Sequence, residues 1–246
     1  MITVIGVWYW GVPDDYVSEK IESIAGDPVS ITVEGFSKKP LFTFDVEKIL
    51  VRKDAEEVWM INGLAGDVAP LQLLKGQAVI HIRGESYGGR LTGHVSTGRN
   101  GQKLQIDFHA IKTSEITYLR SVGFDGRGLL SGTLSYDDGS GRLEFILDDA
   151  VLNGFSGYGI FVPLEFFHTI RGAIDLESPN SFVIKSIALT GKGIYIRIKG
   201  KVVNGFADLE VEVMPEASFP GNSLLMMIER YKISDGYYYI PFKRHL

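Results

Sequence analysis

From Val29 onward the chain alternates apolar and polar residues with a period of two, and this spacing constrains the fold more tightly than anything else in it. Val29, Ile31 and Val33 alternate with Ser30, Thr32 and Glu34; Ile194, Ile196 and Ile198 alternate with Tyr195, Arg197 and Lys199; Leu209, Val211 and Val213 alternate with Glu210 and Glu212. A strand points successive side chains to opposite faces, so the apolar set gathers on one side of a sheet and the other side stays wet. The composition agrees, with 24 Ile and 20 Val against 11 Ala, since β-branched side chains suit a pleated surface better than a helix. We read a mainly β fold: a long antiparallel curved sheet, a meander that ends as an open groove or half-barrel, with three or four short helices.

The middle of the chain sets a register. With Tyr87-Gly88 as a compact turn, Ile80 faces Val95 and Ile82 faces Gly93 on one side, while His81 faces His94 and Arg83 faces Thr92 on the other. A slip of one residue would mix the two faces. The next strand carries Leu104, Ile106 and Phe108 on its apolar side, and a turn near Thr97 to Gly101 sets His109 opposite Leu91. Helical spacing predicts short helices over 14–25, 67–75, 114–122 and 222–232. Ser114 is read as an N-cap and Gly123 as a stop. Asp137-Asp138-Gly139 reads as a hairpin turn, and 237–242 as a closing strand.

Chemistry is sparse. Without Cys there is no disulfide framework, thiolate zinc site or thiol nucleophile. The net charge of −5, spread along the chain, gives no footprint for nucleic acid. His81 and His94 are two ligands at most, short of a metal site. Asp137-Asp138 and Asp148-Asp149 lack the spacing of a calcium loop, and no hydrolase, nucleotide or metalloprotease motif occurs. We therefore expect no catalytic residue, no cofactor and no metal.

Residues 1–12 carry no charge and end in Trp8, Tyr9 and Trp10 before Pro13 and Asp14. The run is too short to span a bilayer, yet it places aromatics where a membrane-interface belt would lie. With Ile5 and Val7 it reads as the end or remnant of an N-terminal membrane anchor. Residues 13–246 then form a single β-rich domain.

Tyr87-Gly88-Gly89-Arg90-Leu91-Thr92-Gly93 and Gly128-Leu129-Leu130-Ser131-Gly132-Thr133-Leu134 resemble strand openings of the type II secretion system protein N family. Ile187-Ala188-Leu189-Thr190-Gly191 and the aromatic-rich stretch from Phe161 to Gly172 resemble its later half. The resemblance implies a non-enzymatic protein anchored in the bacterial inner membrane with its bulk in the periplasm, acting through contacts with other secretion or envelope proteins. The strand style is also similar to the AsmA and TamB group of envelope proteins, which implies an alternative: a groove for phospholipid or lipopolysaccharide acyl chains. The apolar residues that would line it are Ile80, Ile82, Phe108, Leu134, Phe145, Leu147, Ile174, Ile194, Ile196 and Leu209.

Overall fold

The computed structural model describes residues 13–22, 29–73, 75–98, 101–121, 123–157, 160–162, 164–178 and 180–245. The anchor reading of Ile5, Val7, Trp8, Tyr9 and Trp10 lies outside the described residues. The chain divides into two compact units, Met1–Tyr118 and Leu119–Leu246. The fold is mainly β, and every described strand pairing is antiparallel.

In the first unit α1 (Asp14–Glu22) precedes β1 (Val29–Glu34), β2 (Ser37–Lys39), β3 (Thr43–Lys53) and β4 (Glu56–Val68). Then come α2 (Pro70–Leu73), β5 (Ala78–Ser86), β6 (Gly89–Gly98) and β7 (Gly101–Lys112). The strands lie in the order β1-β3-β4-β5-β6-β7, with β2 continuing beside β3. Each strand from β3 to β7 thus pairs with its sequence neighbour, through two-residue turns at β3–β4 and β5–β6 and through the segment that holds α2 at β4–β5. Asp54-Ala55 and Tyr87-Gly88 all have positive φ, as the two-residue turns that match strand twist require.

The register read for β5 and β6 holds throughout, including His81 opposite His94. The one read for β7 is displaced by one residue: His109 stands opposite Arg90, and Leu91 opposite Phe108. Gly98 pairs with Gly101, so only two residues connect the strands, and this spacing is the one that keeps apolar residues opposite apolar ones. The helix read over 67–75 is shorter, because Asp67 and Val68 remain in β4 and α2 begins at Pro70, a position that needs no amide hydrogen. The helix over 114–122 is split: a 3-10 turn, Thr113–Glu115, and α3 (Thr117–Ser121) flank an extended Ile116. Ile116 is buried, and sinking that side chain breaks the helical path. The turn's N-cap position falls to Lys112, and Ser114 stands inside the turn rather than at its N-cap. Gly123 has φ +88° and its N–H closes on the Arg120 carbonyl at 3.0 Å, the stop expected of it.

In the second unit β8 (Phe124–Asp137), β9 (Ser140–Gly157), β10 (Ile160–Val162), β11 (Phe167–Ser178), β12 (Ser181–Gly191), β13 (Ile194–Val203) and β14 (Phe206–Pro215) are followed by α4 (Asn222–Ile228). A 3-10 turn, Glu229–Tyr231, leads to β15 (Lys232–Ser234) and β16 (Tyr237–His245). The order is β8-β9-β11-β12-β13-β14-β16-β15, with β10 folded back on β9. The helix read over 222–232 ends at Ile228, because Lys232 is taken into β15 opposite Tyr238. The core gathers at one end of this sheet. There Leu147, Ile170, Leu189, Ile196, Val213 and Tyr238 meet Phe219, Leu224 and Ile228 from the loop and helix between β14 and β15. Burying each such side chain contributes about 1.5–3 kcal/mol.

Candidate functional site

Cross-strand registers turn the alternation of the second unit into rows that cross seven strands, β8, β9, β11, β12, β13, β14 and β16. The first row reads Leu130, Leu147, Ile170, Leu189, Ile196, Val213, Tyr238. Beside it runs Gly132, Phe145, Gly172, Ile187, Ile198, Val211, Ile240, and beyond that Leu134, Leu143, Ile174, Ile184, Gly200, Leu209, Phe242. Side chains at paired positions share a face, so all three rows lie on one apolar face.

The rows differ in cover. The first is the row under α4, buried from Leu147 to Tyr238. Most of the second and third, including Phe145, Ile198, Leu134, Ile174 and Leu209, stays half-buried. The Phe145 ring packs over Gly172: a Cβ added there would come within 2.2 Å of the ring's edge. Gly132 on the other flank adds no side chain.

In the first unit the corresponding rows read Phe44, Gly66, Ile82, Gly93, Ile106 and Val68, Ile80, Val95, Leu104. Ile80 and Ile82 pack against the small core of Phe42, Phe44, Val46, Leu64 and Val68. The Phe44 ring fills the space over Gly66.

Of the apolar residues read from the sequence, Leu134, Phe145, Leu147, Ile174, Ile194, Ile196 and Leu209 share one face of the second sheet. Ile80, Ile82 and Phe108 share one face of the first. Leu147, Ile194 and Ile196 are buried and belong to packed core; the others are half-buried. Leu143, Ile184, Ile187, Ile198, Val211, Ile240 and Phe242 complete the second and third rows and were missed as lining residues, although the same alternation marks most of them.

The opposite face of the second sheet is charged. Arg142 Nε and Nη2 donate to the Asp175 carboxylate at 2.8 and 3.4 Å, and Lys185 Nζ lies 3.2 Å from it. The Arg142 bond holds the Asp175 carboxyl below its ordinary range. Arg197 pairs with Glu212, and Lys243 with Asp208 at 3.0 Å. A shallow depression of about 460 Å³ on this side is lined by Ser131, Thr133, Glu144, Arg171 and Ser186 among others. On the polar face of the first sheet His81 and His94 stand with ring centroids 6.4 Å apart. Among the described residues no group of three or more His, Asp or Glu could hold a metal ion, and no helix is long and apolar enough to cross a membrane.

At the end of the β5–β6 hairpin, Tyr87 is 4% exposed and packs edge-on against Trp59, centroids 5.5 Å apart. Burial, with the Glu57 carboxylate beside it, pushes its phenol up to about 12. Comparison with family models, with curated proteins and with solved structures finds no match for this chain.

Proposed function

We propose that the chain is a non-enzymatic envelope protein whose open apolar rows bind the acyl chains of phospholipid or lipopolysaccharide. The observation that carries this reading is the second unit's apolar face: it is seven strands wide, and two of its three rows are half-buried beside a third that is packed. At about 4.8 Å between strands such a row is roughly 29 Å long. One leaflet's share of a bilayer core is about 15 Å, so a single acyl chain fits along a row with length to spare. Apolar surface of this extent is seldom left to water without a ligand or partner. No catalytic group is needed for this role, and the protein's place would be the periplasmic side of the inner membrane.

A scaffold role in a type II secretion machine is the second reading. The observation that favours it is the charged opposite face, where the depression around Arg171 and Glu144 offers polar contacts to another protein.

Native mass spectrometry of the protein purified from a bacterial envelope tests the first reading. Co-purifying phospholipid is the expected result. Ile198→Asp and Leu209→Asp, on the open rows, should lower the affinity for a fluorescent fatty acid at least tenfold, and Lys201→Ala, on the charged face, should leave it unchanged. A clean apo mass together with equal fatty-acid binding by all four proteins would overturn it.

A further inference from the structure

Beyond the third apolar row of the second unit lies a fourth on the same face. It begins at Tyr136, passes through Leu176, Phe182, Val202 and Ala207, and ends on β16 at Arg244. Among the described residues of these four rows Arg244 is the one charged side chain. It is exposed, and it follows Phe242, the end of the third row, by two residues. The flanking cations are engaged on the opposite face. Lys243 Nζ lies 3.0 Å from the Asp208 carboxylate, and the His245 ring packs edge-on to Phe206 with centroids 5.1 Å apart. Alternation along the strand then brings Arg244 to the apolar side. On its far side β16 meets β15 at Tyr237 and Tyr238, and the second and third rows end at the sheet's margin with Ile240 and Phe242.

We propose that the second and third rows hold the two tails of one phospholipid and that Arg244 takes its phosphate. This rests on the acyl-chain reading and adds to it the head group and the direction in which the lipid lies. The two rows are side by side, two residues apart along each strand and so about 7 Å from one another, a spacing that suits tails joined at one glycerol. The guanidinium presents paired N–H donors that fit phosphate oxygens, and one such group balances the single charge of a phosphodiester. A neutral lipid would fill the rows and leave the cation unused. A tail matches one leaflet's share of the bilayer core, about 15 Å, which is about three steps between strands. With the phosphate at β16 the tails end over β12, near Ile187, and β9 and β8 lie past their tips.

The test uses the full chain carrying a fluorescent fatty acid, which is displaced by dipalmitoyl phosphatidylglycerol, by dipalmitoylglycerol or by palmitate. Phosphatidylglycerol should displace the probe about tenfold more effectively than the diacylglycerol, the effect expected of a charge-assisted hydrogen-bonded pair. Arg244→Gln should bring phosphatidylglycerol down to the level of the diacylglycerol and leave the diacylglycerol unchanged. Arg244→Lys should keep part of the difference, and Lys243→Gln, the same loss of charge on the opposite face, should keep all of it. Native mass spectrometry should count one phosphatidylglycerol per chain. A nitroxide at the end of a tail should broaden the methyl NMR signals of Ile187 more than those of Leu209 or Leu134, and one on the head group should broaden Leu209 most. Diacylglycerol as effective as phosphatidylglycerol, equal loss of both in Arg244→Gln, or a reversed nitroxide ranking overturns the proposal and leaves the acyl-chain reading standing. Palmitate as effective as phosphatidylglycerol also overturns it, by assigning the rows to separate fatty acids. A protein that takes up neither the probe nor any of the lipids ends both readings.

Discussion

The two units are built from the same alternation but close their apolar faces differently. In the first, the rows contain Gly66 and Gly93, and the core is a small cluster dominated by Phe42 and Phe44. In the second, the rows cross seven strands and are mostly aliphatic, with one ring-over-glycine site at Phe145 and Gly172, and a separate segment holding Phe219, Leu224 and Ile228 covers one of them. Ring-over-glycine packing closes a face locally, with residues of the sheet itself. Covering by a helix closes only the row the helix reaches, and the neighbouring rows remain half-buried. An open apolar face thus follows from aliphatic rows wider than the element available to cover them.

The largest expected effect separates the units. Phe167, 2% exposed in the second core, should cost about 3–5 kcal/mol when changed to Ala. Hydrogen exchange should then quicken in residues 119–246 more than in 29–112; equal loss in both would show that the two cores unfold as one.

A second test uses Tyr87 of the first unit and the alkaline limb of stability. Its phenol ionises at about 12 in the folded chain and at about 10 when unfolded. The contribution is therefore complete below about pH 10 and is lost as pH rises toward 12. That loss amounts to about 2–3 kcal/mol. Urea titrations at pH 9 and pH 12 should show a steeper loss in the unaltered protein than in Tyr87→Phe; parallel losses would break the assignment.

The smallest effect compares the two ring-over-glycine sites. A Cβ at Gly66 would strike the ring of Phe44, which is buried in the first core, and one at Gly172 would strike Phe145, which is half-exposed. The overpacking cost is about 1–3 kcal/mol where the ring cannot move. Gly66→Ala should approach that figure by thermal melting and Gly172→Ala should fall well below it, because Phe145 can swing outward. A Gly172→Ala cost as large as that of Gly66→Ala would show that the second face is as closed as the first.

Much of this was legible from residue spacing. The pairings of His81 with His94 and of Ile82 with Gly93 followed from face matching and a two-residue turn, both local properties of the chain. The apolar rows could be named strand by strand for the same reason. The cover was not legible, since whether Leu147 is core and Leu209 half-open depends on where α4 comes to rest, and nothing in the local pattern encodes that. The split at Ile116 escaped for a related reason: a tertiary demand to bury one side chain overrode a helical spacing. The bond from the Val33 N–H to the Glu22 carboxylate was equally hidden, because it joins α1 to β1, elements that periodicity treats separately.

The positive-φ turns have a kinetic consequence. Asp54-Ala55, Tyr87-Gly88, Asp138-Gly139 and Asn204-Gly205 each reverse the chain within two residues, so most pairings join strands that are adjacent in sequence. Closing such short loops takes little entropy, and contact order stays low for so much β structure. Folding can proceed as a zipper during synthesis, each new strand finding its template in the one before.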